Sequence, residues 1–364
     1  MSLMLWGYLI AGLVLLVAGA EVSVRGAAKL AAQFGIPPLI IGLTVVAFGT
    51  SAPETAVSVQ AALAGSGDLA IGNVVGSNIA NVLFILGLTA LIAPLIVSRQ
   101  LIRLDVPIMI GASLLTLALA WDGSLSKLDG LLLFAGIVAY TGFLIVSAYR
   151  EKNIAADDEF AKEFALHEPA KPYAWLLNLL LIVLGLVLLV GGANLLVEGA
   201  VSLARALGLS ELVIGLTVVA VGTSLPELAT SLLAAIRGER DIAVGNIVGS
   251  NIFNLLCVLG LAALVSPAAI AVAANALAFD LPVMIGVALV CLPIFFSGYR
   301  INRWEGLLFL GYYAAYTLYL VLSAAGRPQA DQFAAAMLGY VLPLTAITLL
   351  VMAVQSWRKG RATG

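Results

Sequence analysis

Apolar runs of about 20 residues recur along the whole chain, separated by short polar stretches, and that length crosses a bilayer as one helix. Eleven spans are predicted, at 5–28, 37–64, 69–93, 105–121, 127–149, 173–203, 210–236, 242–265, 277–297, 304–324 and 333–355. No ten-residue segments alternate apolar with polar, so a membrane β-barrel is not expected. Polar residues inside the spans are few, and they repeat. "GLTVVAFGTSAPE" at 42–54 returns as "GLTVVAVGTSLPE" at 215–227, with 11 of 13 letters shared. Each copy ends in proline and glutamate. A helix breaker and a carboxylate are both costly inside a membrane.

The repetition extends beyond this motif. "LLVAGA" at 15–20 pairs with "LLVGGA" at 188–193, and "IGNVVGSNIAN" at 71–81 with "VGNIVGSNIFN" at 244–254, all at an offset of 173. Later matches drift: "DVPIMIG" from Asp105 pairs with "DLPVMIG" from Asp280, and Tyr140-Thr141 with Tyr316-Thr317. The expected organisation is a five-helix repeat over 1–149, a linker over 150–172, a second five-helix repeat over 173–325, and an extra helix with a basic tail over 326–364. Five is an odd number, so the repeats must be inverted across the membrane. That design is common in transporters, with the substrate site near the midplane on broken helices. The fold class expected is therefore an all-α integral membrane protein of two inverted repeats plus one C-terminal helix.

Composition agrees: 62% of residues are hydrophobic and 10% charged, against about 25% charged in soluble proteins. Charge sets the orientation. Alternating the loops places fifteen of the eighteen Lys and Arg on one side and leaves Lys127, Arg205 and Arg327 on the other. The rich side is cytoplasmic by the positive-inside rule, so the N-terminus faces out and "SWRKGRATG" faces in. The linker is then cytoplasmic, with "DDEFAKEF" a candidate short helix. The sole histidine, His167, lies in that linker, which argues against a histidine proton relay. The first span resembles a signal peptide, but no Lys or Arg precedes it and it returns as span six, so it is read as a mature helix. Cys257 and Cys291 lie in apolar segments and are read as packing residues, without disulfide or metal cluster.

Two polar stripes carry candidate chemistry. On span two, Ala47, Thr50, Ser51, Glu54 and Ser58 share one helix face, repeated on span seven by Ala220, Thr223, Ser224, Glu227 and Ser231. On span three, Asn73, Ser77 and Asn81 stand four apart, repeated on span eight by Asn246, Ser250 and Asn254. Pro53 and Pro226 remove an amide donor, freeing carbonyls near Gly49 and Gly222 that a cation is suited to satisfy. Carboxylate, hydroxyl, amide and carbonyl oxygens are hard ligands, suited to Ca²⁺ or Na⁺ and poor for copper or zinc. Two glutamates match the charge of one Ca²⁺.

Other residues receive plainer readings. Ser58 and Ser231 are expected to bond back to the i−4 carbonyl, and Asn73 and Asn246 serve either as interhelical links or as ligands. Asn78 and Asn251 point off the stripe and are read as packing. Gly72 and Gly76, like Gly245 and Gly249, are expected to bring helices close. Glu21 and Arg25 are placed to pair. Asp68 and Asp241 are read as N-caps, Asp105 and Asp280 as helix-start residues.

"GTSAPE" with "GSNIAN", then "GTSLPE" with "GSNIFN", resemble the cation/calcium exchanger superfamily, in particular its sodium/calcium exchanger branch, over residues 1 to about 325. The GNxxE signature of proton/calcium exchangers is absent. The resemblance implies a diamond of ion sites on helices two, three, seven and eight. It implies calcium ligands at Glu54 and Glu227 with the carbonyls of Thr50 and Thr223, and sodium ligands at Ala47, Ser51, Ser77, Ala220, Ser224 and Ser250. Asn81 and Asn254 stand at the site's edge. Potassium-dependent relatives carry Asp where Asn254 stands, so the resemblance implies a potassium-independent exchanger. The expected function is antiport of Ca²⁺ against Na⁺, three to one by family resemblance, in a prokaryotic inner membrane. The alternatives are a Ca²⁺/H⁺ exchanger and a cation channel. No nucleophile–base pair or phosphate loop points to an enzyme, and neither a resident cofactor nor a nucleic-acid partner is expected. Oligomeric state is not legible here.

Overall fold

The computed structural model describes residues 3–155, 173–206, 220–345 and 347–348. The first half contains α1 (Leu3–Phe34), α2 (Pro38–Thr50), α3 (Ala52–Leu63), α4 (Gly67–Ile92), α5 (Leu101–Leu119) and α6 (Lys127–Ala155). The second contains α7 (Ala174–Ala206), α8 (Leu225–Ile236), α9 (Arg240–Val265), α10 (Ala276–Phe296) and α11 (Arg303–Ala324), with α12 (Gln329–Ala336) beyond it. Eight helices among the described residues are long and apolar enough to cross a membrane, and α2 with α3 makes a ninth span, bent by 47°. The chain is a multi-pass integral membrane protein. Of the span expected at 210–236, α8 and the short helix Ala220–Gly222 are described. The linker beyond Ala155 with His167, the end of the eleventh span beyond 348, and the tail lie outside the described residues.

The bend follows from the motif. Ser51 leaves helical geometry at φ −80° and ψ 12°, and Pro53 enters the first turn of α3, where its missing N–H costs least. Ser224 repeats this at φ −88° and ψ 9°, with Pro226 opening α8. Helical ladders loosen to π-turns at matched places: Asn81–Leu86 and Asn254–Val258, Leu101–Asp105 and Ala276–Asp280. Such turns are frequent at functional sites.

α4 and α9 form the centre. Their apolar windows are 72% and 89% buried, against 6% for α11. α1 and α7 pack along glycines seven residues apart. A Cβ on Gly12 would lie 2.6 Å from the Leu196 nitrogen, and one on Gly19 would lie 2.7 Å from the Gly185 oxygen. Two short antiparallel strand pairs tie loops of opposite halves, Leu95↔Ile301 with Ile96↔Arg300, and Ser124↔Ala271 with Leu125↔Ile270. Glu21 pairs with Arg25 as expected and also with Arg237, whose Nε and Nη2 stand 3.0 and 2.7 Å from its carboxylate.

Several expectations are corrected. Asp68 and Asp241 lie inside the first turns of α4 and α9 and cap neither; Ser66 and Glu239 hold the cap positions, without a side-chain cap bond. Asp105 and Asp280 stand where the α-helical stretches Val106–Leu119 and Leu281–Phe296 begin, each as the last residue of a π-turn, and neither makes a side-chain cap bond. Each accepts a phenol proton, Tyr140 to Asp105 at 2.9 Å, buried, and Tyr316 to Asp280 at 3.0 Å, half-buried. α6 runs to Ala155, past the expected end at 149. Cys257 and Cys291 are buried and unbridged.

One glycine pair meets backbone of the other half. A Cβ on Gly249 would stand 2.8 Å from the Leu43 oxygen, and one on Gly245 2.8 Å from the Leu39 oxygen. At Gly72 and Gly76 nothing described lies within 4 Å; Leu212 and Leu216, the counterparts of Leu39 and Leu43, lie outside the described residues. Gly249→Ala is therefore expected to cost about 1–3 kcal/mol through overpacking. Thermal unfolding of the detergent-purified variant measures this, and an unchanged melting temperature would contradict the close approach.

Candidate ion-binding site

The helix breaks at Ser51 and Ser224 are joined by reciprocal hydrogen bonds. The Ser51 hydroxyl donates to Glu227 Oε1 at 3.0 Å, and the Ser224 hydroxyl donates to Glu54 Oε1 at 3.1 Å. Each serine thus serves the carboxylate of the other half. Both glutamates are 0% exposed. The second oxygen of each, Oε2, is buried without a hydrogen-bond partner. A buried acceptor left unpaired is expensive, and two on opposite halves of one polar cluster are suited to a cation.

Further oxygens are left free beside them. Thr223 Oγ1, Ser250 Oγ and the Oδ1 atoms of Asn81 and Asn254 are buried and unpaired. Ser77 Oγ lies 3.4 Å from Ser224 Oγ. Thr50 is buried and donates to Asn246 Oδ1 at 3.1 Å. Ala47 is buried on the same helix, and Ala220 opens the helix Ala220–Gly222. Among the described residues no group of three or more His, Cys, Asp or Glu is placed to hold a metal. The donor set is oxygen only, carrying two carboxylates, and fits hard cations.

α4 and α9 brace the breaks. Asn73 Nδ2 donates to the Glu54 carbonyl at 3.2 Å and to Ser58 Oγ at 2.9 Å. Asn246 Nδ2 makes the matching bonds to the Glu227 carbonyl at 3.5 Å and to Ser231 Oγ at 2.9 Å. Interhelical linkage is thus what Asn73 and Asn246 do. Ser58 and Ser231 are corrected likewise: each hydroxyl accepts an asparagine amide from the neighbouring helix.

Asn78 and Asn251 also depart from expectation. Asn81 Nδ2 donates to Asn251 Oδ1 at 3.0 Å, and Asn254 Nδ2 donates to Asn78 Oδ1 at 3.2 Å. Asn78 and Asn251 also donate to the thioethers of Met284 and Met109, at 3.8 and 3.4 Å. The four asparagines pin α4 to α9 where the helices cross and hold the free Oδ1 atoms of Asn81 and Asn254 in place. Their recurrence in both "GSNI" motifs was the available signal; their off-stripe position hid the role.

Comparison with known proteins agrees with this geometry. The family described as sodium/calcium exchanger protein matches residues 4–146 and 177–322. The chain is 42% identical over 318 residues to the putative antiporter CaxA of Alkalimonas amylolytica, covering 87% of this chain and 98% of that one. It is 36% identical over 356 residues to the sodium/calcium exchanger MaX1 of Methanosarcina acetivorans, covering 86% and 97%. Among solved structures, the sodium-calcium exchanger NCX_Mj superposes with a TM-score of 0.73 at 31% identity, covering 90% of this chain and 100% of that one. The family is one of transporters rather than enzymes. With both halves matched and the length of its relatives spanned, the chain belongs to the sodium/calcium exchanger family.

Proposed function

We propose that this protein exchanges Ca²⁺ for Na⁺ by alternating access, three Na⁺ against one Ca²⁺. The observation that carries the reading is the pair of buried glutamates, each bonded through one oxygen to the opposite half and free at the other. Glu54 and Glu227 bind Ca²⁺ together with the carbonyls of Thr50 and Thr223. Na⁺ uses the same carboxylates with Ala47, Ser51, Ser77, Ala220, Ser224 and Ser250. Asn81 and Asn254 flank them.

The halves, 1–149 and 173–325, are inverted repeats, and the full chain spans the membrane eleven times with the N-terminus outside. Reciprocal bonding supports the two-fold relation. The strand pairs support the alternation of sides: Leu95–Ile96 and Arg300–Ile301 are separated by six expected spans and belong on one face. Relatives at this identity include the inner membrane protein YrbG of Escherichia coli, and a prokaryotic inner membrane is the expected location.

Sodium-gradient-driven ⁴⁵Ca²⁺ uptake into proteoliposomes tests the reading. Uptake should require an outwardly directed Na⁺ gradient. Uptake driven equally by a proton gradient would point to a Ca²⁺/H⁺ exchanger, and flux without any counter-ion to a channel. Low pH should slow transport, because carboxylates bind metal only when deprotonated. The expected outcome is a fall in Ca²⁺ uptake as both sides move from pH about 8 to about 5. A pH-independent Ca²⁺ affinity over that range would mean that protons do not compete with Ca²⁺ for the glutamates there.

A further inference from the structure

A groove opens between α5 and α6, with Leu256 of α9 as its floor and a volume of about 610 Å³. That lies within the roughly 300–1,000 Å³ of small-molecule sites. Its walls are apolar, from Pro107, Gly111, Leu115 and Phe143, all exposed. Arg103 stands at one end, exposed and without an ion pair among the described residues.

The same groove occurs in the second half, between α10 and α11, with Leu83 of α4 as its floor and about 480 Å³. Pro282, Gly286 and Val290 stand where Pro107, Gly111 and Leu115 do, and Tyr319 where Phe143 does. Two differences separate the twins. Phe333, Met337, Leu338 and Leu342, from the chain beyond α11, cover the second groove. Ala278 stands in it at the position of Arg103, and Tyr312 fills the position of Gly136. The second groove is therefore narrowed, neutral and covered by this chain's own apolar helix. The first is wide, open among the described residues, and ends in a cation.

We infer that the groove between α5 and α6 binds an anionic glycerophospholipid, with one acyl chain along Pro107, Gly111 and Leu115 and the phosphate on Arg103. Filling of the twin groove by apolar side chains shows what kind of surface this shape accepts. The guanidinium adds a charge-assisted contact that a phosphate satisfies and a choline headgroup opposes. Arg103 lies on the side carrying most of the basic residues, where anionic headgroups are attracted to them. The occupant stands beside the Tyr140–Asp105 pair and against Leu256, within the π-turn that begins at Asn254.

Native mass spectrometry of the detergent-purified protein tests this, titrating dioleoyl phosphatidylglycerol against dioleoyl phosphatidylcholine. Wild type should bind phosphatidylglycerol more tightly. Arg103→Ala should weaken that binding about fivefold, the value of one basic residue at a membrane surface, and leave phosphatidylcholine unchanged. Gly111→Leu should weaken both, by filling the groove. It should fold normally, since a Cβ on Gly111 meets nothing described within 4 Å, and an unchanged melting temperature verifies that. Equal affinity for the two lipids would overturn the proposal, as would undiminished phosphatidylglycerol binding by Gly111→Leu. A stable dimer that Gly111→Leu dissociates would assign the groove to a second copy and overturn it as well.

Discussion

Glu54→Gln and Glu227→Gln should each abolish sodium-driven Ca²⁺ uptake while the protein still folds and inserts. Glutamine keeps the shape and still accepts the serine hydroxyl that bonds Oε1 in each half. What it removes is charge. Breaking one partner of a buried charged contact costs about 2–5 kcal/mol, or about 30-fold to several-thousand-fold in affinity. Ca²⁺ transport and the melting temperature of the purified variants should be measured together. Loss of transport with a preserved melting temperature is the expected result. Near-normal transport in either variant would mean that one carboxylate suffices, and the paired site would fall.

Membrane potential should drive the exchange strongly. One Ca²⁺ on two carboxylates leaves the occupied site neutral, and three Na⁺ leave it at +1. The proposed cycle then moves one net positive charge with sodium. One elementary charge is worth about 2.3 kcal/mol per 100 mV, which is about 50-fold at equilibrium. An inside-negative potential favours sodium entry and Ca²⁺ extrusion. In proteoliposomes with fixed ion gradients and potential set by K⁺ and valinomycin, Ca²⁺ uptake driven by outward sodium should rise when the interior is made positive. Potassium alone must first be shown to have no effect. Uptake indifferent to potential would favour electroneutral exchange of two Na⁺ for one Ca²⁺.

Much of the molecule was legible because its causes are local. Hydropathy over about 20 residues marks a span in isolation, and α1, α4–α7 and α9–α11 occur where those runs stand. Proline breaks a helix through its own missing donor and ring, so the bends at Ser51 and Ser224 were readable from Pro53 and Pro226. Duplication then did what a single copy does not. A lone intramembrane glutamate has several explanations, whereas Glu54 and Glu227, each four residues after a threonine and three after a serine, point to a shared site.

What the letters leave open is which atom meets which. Asn78 and Asn251 lie off the polar stripe, and their place between Asn81 and Asn254 depends on the crossing of two helices distant in sequence. Arg237 joins Glu21 across 216 positions, for the same reason. The aspartates at helix starts were misread because capping depends on the local turn, and Ser66 and Glu239 take those turns instead. The glycines give the clearest case. Gly245 and Gly249 lie against the backbone at Leu39 and Leu43, 206 positions away in the chain. Near-identical segments encode the same helix, but close packing is a property of both surfaces in a contact, and the second surface comes from elsewhere in the chain.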